Sequence, residues 1–172
     1  MGAHVGPRDC HITGRNVSIE MRAAVSMFGH MGIEMDPREL TDHEYNALKA
    51  AIALHKEHRE FIHAADLYRL DSDDLSINFG LIDEQKSKAL FAYNSVRETP
   101  RTAPNKLRFV GLDADTQYTL NLVWPVKFEE YRPSFIAAVN GQTFTGEALM
   151  EFGLQMPISF PQTSLIFELN KA

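Results

Sequence analysis

The sequence predicts an α+β fold in which a helical segment is followed by an antiparallel β-sandwich. Up to about Ala65 the apolar residues recur at the spacing of helices. Beyond it, short runs alternate with period two and are separated by Pro, Gly and Asn. The chain has 172 residues, enough for one ordinary domain or for a small domain with an appendage. We therefore expect two domains, residues 1–65 and residues 66–172.

The first domain opens with an apolar run over residues 1–5, which is typical of one buried strand. A helix is expected over residues 17–28, where apolar side chains recur at helical spacing. Asn16 is its expected N-cap, and Gly29 or Gly32 is its expected stop.

Two further helix starts follow. Asp36 and Pro37 have the order of an N-cap and a first helical residue. Thr41 and Glu44 form a capping box, which predicts a helix that runs to about His63. The residues expected to share one face of that helix are Tyr45, Leu48, Ala51, Ile52, His55 and Ile62. One strand with two or three helices leaves strand faces and edges uncovered, so we expect this segment to be the truncated end of a larger parallel sheet.

The second domain predicts several short strands, over residues 76–81, 88–94, 106–110, 117–123 and 164–169. In the first of them, Ile77, Phe79 and Leu81 share one face. Residues 97–105 contain two prolines and are expected to form a loop. Residues 111–115 supply turn chemistry. Short strands with frequent turns favour a sandwich.

The composition disfavours several kinds of partner. The formal net charge of −6 argues against binding to a phosphate backbone. No apolar run is long enough to span a bilayer, and the first residues lack the basic flank and apolar core of a signal peptide. Cys10 is the only cysteine, so no intrachain disulfide can form and a cytoplasmic location is expected.

Three groups of residues are candidates for a metal site. His4, Asp9, Cys10 and His11 lie close together but lack zinc-site spacing, so a hydrogen-bonded loop is favoured. The helix histidines His55, His58 and His63 lack the Glu register of a zinc protease and favour a structural role. The aspartates of two turns lack the closing Glu of a calcium loop and favour solvated turns: Asp71, Asp73, Asp74, Asp113 and Asp115. We expect no metal and no cofactor.

Spacing alone does not indicate an activity. The sequence has no nucleophile elbow and no glycine-rich phosphate loop. Four aromatic residues could stack on sugars, although core packing is the commoner role at strand spacing: Tyr118, Trp124, Tyr131 and Phe135.

A series of short motifs resembles glycoside hydrolase family 36, chiefly α-galactosidases. The run Met-Gly-Ala-His-Val at residues 1–5 is followed by Cys-His-Ile-Thr-Gly-Arg at residues 10–15. These are similar to the family's Met-Gly-Ser-His-Val and His-x-Thr-Gly-Arg runs. Further similar positions follow in the family's order: Glu20, Arg22, residues 28–36, 58–62, 66–70, 107–113, Tyr118 and residues 146–154. Gly6 and Cys10 depart from the usual Ser and Asn, which suggests a divergent branch.

The resemblance implies that residues 1–65 are the end of a (β/α)8 catalytic barrel and residues 66–172 its C-terminal β-sandwich. In that family, two aspartates hydrolyse terminal α-galactosides with retention, and such carboxylates flank the scissile bond about 5 Å apart. The family's motifs for both aspartates precede the Met-Gly-Ser-His-Val run, so no catalytic residue is expected in this chain, which alone is expected to be inactive.

Barrel sites lie at the carboxyl ends of the strands, so the resemblance places His4 near the substrate as a lining or bracing residue. A hydrogen bond that fixes the strand-end loop is the alternative role. The expected ligand is an α-galactoside oligosaccharide, bound through the rest of the barrel, and a homo-oligomer is expected for the full-length protein. The alternative function is a carbohydrate-binding or oligomerisation β-sandwich module.

Overall fold

The computed structural model describes residues 2–128 and 134–172. The chain divides into two compact units, Met1–Ala64 and Ala65–Ala172. The α+β fold class is confirmed, with helices and a parallel strand pair in the first unit and an antiparallel β structure in the second.

The first unit contains two strands and two α-helices. Its elements in order are β1 (Gly2–Val5), α1 (Ile19–Met27), β2 (His30–Ile33), a 3-10 turn (Pro37–Glu39) and α2 (Asp42–Ala64). Strands β1 and β2 pair in parallel, with His4 opposite Gly32. No other strand of the described residues joins this pair. Val5, Ile19 and Leu48 form its buried core, which brings β1 against both helices.

Strand β2 was missed by the sequence analysis, which expected one strand here. Its four residues, His-Met-Gly-Ile, show no alternation of polar and apolar side chains, and Gly32 was interpreted as a helix stop. The strand forms because β1 supplies its backbone partners, a tertiary effect that a local pattern does not contain.

The helix starts were predicted in part. Helix α1 is capped by the Ser18 hydroxyl, which accepts from the Met21 amide at 3.2 Å, and not by Asn16. Asn16 instead donates to Asp9 at 2.9 Å across a short bridge. The capping box that opens α2 is confirmed, since Thr41 and Glu44 exchange hydrogen bonds of 3.1 and 3.3 Å.

The buried face of α2 differs from the predicted one at one important position. Tyr45 is 55% exposed, and the buried stripe instead begins at Glu44 and passes through Leu48 and Ala51. A pattern analysis places a glutamate towards solvent, because a buried charge is costly unless it is paired. Glu44 is paired, as described below.

The second unit is built on a six-stranded antiparallel sheet. Its strands are β3 (Asp66–Arg69), β4 (Ser76–Ile82), β5 (Lys88–Ser95), β7 (Gln117–Trp124), β8 (Gln142–Thr145) and β10 (Thr163–Lys171). The order across the sheet is β3-β4-β5-β10-β7-β8, so the last strand inserts between β5 and β7 at the centre.

A smaller layer covers one face of this sheet. It contains the two-stranded sheet of β6 (Lys106–Leu107) and β9 (Leu154–Gln155), with two short helices, α3 (Ile136–Val139) and α4 (Gly146–Glu151). The Phe109 ring packs edge-on against Phe91 of the large sheet, with centroids 4.9 Å apart. The core between the layers is apolar and fully buried around Phe91, Phe109 and Phe167.

Most predicted strands are found, with two differences. The strand expected at 106–110 ends at Leu107. In β4 the alternation is right, but Ile77 of the apolar face is 54% exposed, whereas Ser76 and Asn78 of the other face are buried. The Asn78 side-chain nitrogen donates to the Asp71 carbonyl at 2.7 Å and to the Ser76 hydroxyl at 3.1 Å, which offsets the cost of burying it, while its Oδ1 has no partner among the described residues.

Candidate functional site

The carboxyl ends of β1 and β2 bring together an imidazole and a carboxylate. His4 lies on β1, and Glu34 directly follows β2. The Glu34 amide donates to the Val5 carbonyl at 3.1 Å, which extends the strand pairing by one residue. The His4 Nδ1 lies 3.0 Å from Glu34 Oε2, and both side chains are largely exposed, at 58% and 74%. A hydrogen bond at this distance fixes the ring orientation and leaves Nε2 as the second polar atom of the ring.

The loop that follows β1 is held by its own backbone. The Cys10 amide donates to the Arg15 carbonyl at 3.0 Å, and the Gly14 amide donates to the Cys10 carbonyl at 2.7 Å. Cys10 is half-buried, and hydrogen bonds from Thr13 lower the pKa of its thiol. The loop that was favoured over a metal site at residues 4–11 is thus internally hydrogen-bonded.

A buried glutamate anchors this loop to both helices. Glu44 accepts from the Arg8 guanidinium through both carboxylate oxygens, from Arg22 at 3.1 Å and from the Thr41 hydroxyl at 3.0 Å. The Arg8 hydrogen bond is the largest cause that lowers the pKa of Glu44 to about 2, and the Thr41 donors add to it. The carboxylate therefore stays charged although it is buried.

Arg22 connects Glu44 to the residue that follows β1. Its guanidinium donates to the Gly6 carbonyl at 2.6 Å and to the Val17 carbonyl at 3.0 Å. Burial lowers the pKa of Arg22, while Glu44 opposes that effect. Both ends of the loop over residues 6–17 are thus fastened to one charged centre.

A polar pocket of about 350 Å³ lies beside this centre. The loop contributes Arg8 and Asp9 to its lining, and the segment after β2 contributes Asp36 and Glu39. The carboxylates of this lining can accept hydrogen bonds from a polyhydroxyl ligand. This role of Arg8 was not predicted from the sequence, and Glu44 was predicted only as a cap. Its contacts with Arg8 and Arg22 are long-range and leave no local pattern.

The other predicted candidates lie elsewhere. His55 and His58 are buried on α2, and His55 Nδ1 donates to the Met27 carbonyl at 3.1 Å. Asp73 accepts from the Leu75 and Ser76 amides at 2.9 and 2.8 Å, which is turn capping. Within residues 2–128 and 134–172, no group of three or more His, Cys, Asp and Glu side chains could hold a metal ion.

Two of the four aromatic residues that are candidates for sugar stacking have no open ring face. Tyr118 and Trp124 are buried, with at most 1% of either exposed, so neither ring face is open to a ligand. Phe135 is 66% exposed. Tyr131 lies outside the described residues. No helix among the described residues is long and apolar enough to cross a membrane.

Comparisons with known proteins match both units. The family model described as melibiase matches residues 1–65, and that of the glycosyl hydrolase family 36 C-terminal domain matches residues 78–169. An α-galactosidase of Escherichia coli is 32% identical over 186 aligned residues, which cover 100% of this chain and 25% of that protein. The α-galactosidase AgaA of Geobacillus stearothermophilus is 32% identical over 70% of this chain and 17% of its own length.

Solved structures of α-galactosidases are also similar to this chain. The crystal structure of a doubly substituted AgaA in complex with raffinose is similar over 100% of this chain and 22% of that one, with a TM-score of 0.83 and 26% identity. A variant of the same enzyme was solved with stachyose, also with a TM-score of 0.83. This chain spans about a quarter of the length of the Escherichia coli relative, or less in the other relatives named here. The chain belongs to glycosyl hydrolase family 36, and its residues 78–169 match the C-terminal domain of that family.

Proposed function

We propose that this chain acts as the C-terminal part of an α-galactosidase that hydrolyses terminal α-galactosides of the melibiose and raffinose type with retention. The observation that carries the proposal is the similarity to an α-galactosidase along 100% of the chain. The two catalytic aspartates are expected in the remainder of such an enzyme, and this chain alone is expected to be inactive. Its contribution is to complete and support the sugar pocket.

Within that role, His4 borders or braces the galactoside pocket. Its support is geometric, since the ring lies at the carboxyl end of β1 and is oriented by Glu34 at 3.0 Å. Ligands of barrels and of open parallel sheets bind beyond the carboxyl ends of the strands. The anchor of Arg8, Arg22 and Glu44 supports the same edge by fixing the loop that follows the strand.

The β domain, residues 66–172, serves as a structural domain of the complete enzyme and supports subunit assembly. Burial of Tyr118 and Trp124 favours this support role over sugar stacking. A cytoplasmic location and a homo-oligomeric complete enzyme belong to the same proposal. Galactosides are therefore expected to leave the melting temperature of this chain unchanged, whereas a binding module would be stabilised by its ligand.

A chimera tests the proposal directly. The segment of the Escherichia coli α-galactosidase that matches this chain is replaced by residues 1–172, and release of nitrophenol from nitrophenyl α-galactoside is measured. The chimera is expected to be active, while the same host without the segment and this chain alone are expected to be inactive. Activity of this chain alone at a rate like that of the host would contradict the division of roles.

The same chimera tests His4. His4→Ala is expected to lower kcat/KM by about tenfold or more, a loss of one hydrogen bond to a polar partner. His11→Ala, a change of the same kind in the adjacent loop, is the matched control. An unchanged kcat/KM in His4→Ala would reject a role for this ring at the pocket.

A further inference from the structure

The turn between α3 and β8 contains the only asparagine of the chain that is followed by a glycine, Asn140 before Gly141. Asn140 is exposed and has a φ of −62° and a ψ of 125°, and Gly141 has a φ of +77°. These angles match the two central residues of a type II turn, whose second central position needs a positive φ and therefore favours glycine. The turn leads into β8, which lies at one edge of the six-stranded sheet and pairs with β7.

An asparagine that precedes a glycine can lose ammonia through a reaction with its own backbone. The amide nitrogen of the glycine attacks the side-chain Cγ, and the new bond closes a five-membered succinimide ring. The side-chain nitrogen leaves as ammonia and takes up the proton that the glycine amide loses. Glycine permits this attack because it has no β-carbon that would crowd the nitrogen. Water then opens the ring at one of its two carbonyls and gives aspartate or isoaspartate.

The backbone conformation of Asn140 holds the two reacting atoms apart. Ring closure requires the asparagine Cβ and the glycine nitrogen to eclipse each other about the Cα–C bond, which occurs at a ψ of about −120° in an L residue. The ψ of Asn140 is 125°. This bond must therefore rotate by more than a right angle before the Gly141 nitrogen can reach Cγ.

Strand β7 holds both reacting groups by hydrogen bonds. Asn140 Oδ1 accepts from the Leu122 amide at 2.7 Å, and the Gly141 amide donates to the Leu120 carbonyl at 2.7 Å. Rotation about the Cα–C bond of Asn140 turns the Gly141 amide away from Leu120, so the reaction requires the turn to separate from β7. Local opening of this kind costs less free energy at the margin of a fold than in its core.

We propose that Asn140 and Gly141 form a covalent modification site, which is closed while the turn is bonded to β7 and reacts when the β8 edge opens. The aspartate product keeps an oxygen that can accept from the Leu122 amide, so it is compatible with the fold. Isoaspartate lengthens the main chain by one carbon within the turn, so β8 can no longer pair with β7 in the same register. The reaction thus makes an opening of this edge permanent. The site does not depend on the galactosidase role.

The experiment incubates the full 172-residue chain at mildly alkaline pH, in native buffer and in urea, and follows deamidation of each asparagine by peptide mass spectrometry. Asn140 is expected to convert in urea, and at least about tenfold more slowly in native buffer. Asn94 on β5 precedes a serine and is the internal reference, because its buried side chain is hydrogen-bonded to Ile77 and Ser164. It is expected to stay unmodified in native buffer. Equal Asn140 rates in the two solutions would overturn the proposal.

Val139→Ala tests whether opening of the edge controls the reaction. Val139 directly precedes Asn140 and is buried in the apolar core of this unit, so its truncation loosens the turn. The Asn140 rate in native buffer is expected to rise severalfold, while Asn94 stays unmodified. Val126→Ala removes the same atoms from a residue that is 75% exposed, and is expected to keep the wild-type rate.

Circular dichroism checks that both variants are folded. An unchanged Asn140 rate in Val139→Ala would show that the turn does not control the reaction. A parallel rise at Asn94 would show that the whole unit opens and not its edge, and either result would contradict the proposal.

Discussion

The imidazole of His4 lies directly over the α-carbon of Gly32, its partner across the β1–β2 pair. A β-carbon built on Gly32 would lie 2.7 Å from His4 Cδ2 and 3.3 Å from His4 Nε2. Only glycine leaves room for the ring in the orientation that places Nδ1 beside Glu34. The glycine that pattern analysis interprets as a helix stop is therefore part of the structure that orients His4.

Gly32→Ala is expected to displace the His4 ring from Glu34 and to destabilise the first unit by at most about 1 kcal/mol, the loss of one exposed hydrogen bond. Gly2→Ala is the matched control in the same sheet, because nothing lies within 4 Å of its added β-carbon. Hydrogen exchange of the β1 and β2 amides measures the effect. Equal protection of these amides in the two variants would show that His4 moves aside freely.

Glu44→Gln is expected to destabilise the first unit by about 3 kcal/mol, because it leaves the buried Arg22 guanidinium without its counter-charge. Protection of the α2 amides from hydrogen exchange should fall by about a hundredfold, which is the same energy expressed as an opening equilibrium. Glu39→Gln, on the wall of the adjacent pocket, removes an exposed carboxylate and should change protection little. Similar losses in both variants would mean that the charge of Glu44 has no special role.

A low pH should weaken the stabilisation that Glu44 provides through Arg8 and Arg22. The pKa of Glu44 is about 2 in the folded chain and 4.5 in the absence of its partners, so the unfolded state binds the extra proton first. The stabilisation is complete above pH 4.5 and is lost as the pH falls from 4.5 towards 2. Urea unfolding at pH 6, 4 and 3 measures this, and the difference between wild type and Glu44→Gln should shrink at each step. A constant difference would contradict the assigned pKa.

The two long helices and the longer strands could be predicted because their signals are local, whereas α3, α4 and the short strands β3, β8 and β9 were not predicted. The signals are the capping box at Thr41 and Glu44 and the alternation of the long strands. Each of them lies within a few residues of sequence. Strand β2 could not be found in this way, because its four residues are ordered by β1 across 28 positions of sequence, as in the pairing of His4 with Gly32. The candidate site depends on such long-range contacts.

Only His4 was named from the sequence as a site residue, and its role at a sugar pocket stays a prediction. His4 was placed at a strand end through the resemblance, whereas Glu34 could be recognised as its partner only after β2 was known. For Glu44 the local role as a cap was predicted correctly. Its ion pairs with Arg8 and Arg22 were not predicted, because they are long-range contacts. When a residue has a local role and a long-range role, a sequence pattern reveals only the local one.

The buried Tyr118 hydroxyl links two turns of the second unit. It donates to the Lys86 carbonyl at 2.9 Å and accepts from the Asp113 amide at 3.1 Å. Tyr118→Phe is therefore expected to lower the free energy of unfolding of this unit by about 1–2 kcal/mol, because the ring still fills the core while two backbone groups lose their partner. Trp124, the only tryptophan of the chain, lies on the same strand, so its fluorescence reports the unfolding of this unit in urea.

Tyr45→Phe removes a hydroxyl from a residue that is 55% exposed and should leave the urea midpoint unchanged. If both variants unfold at the wild-type midpoint, the two turns are held by their backbone alone, and the Tyr118 hydroxyl contributes nothing to the stability of the β structure.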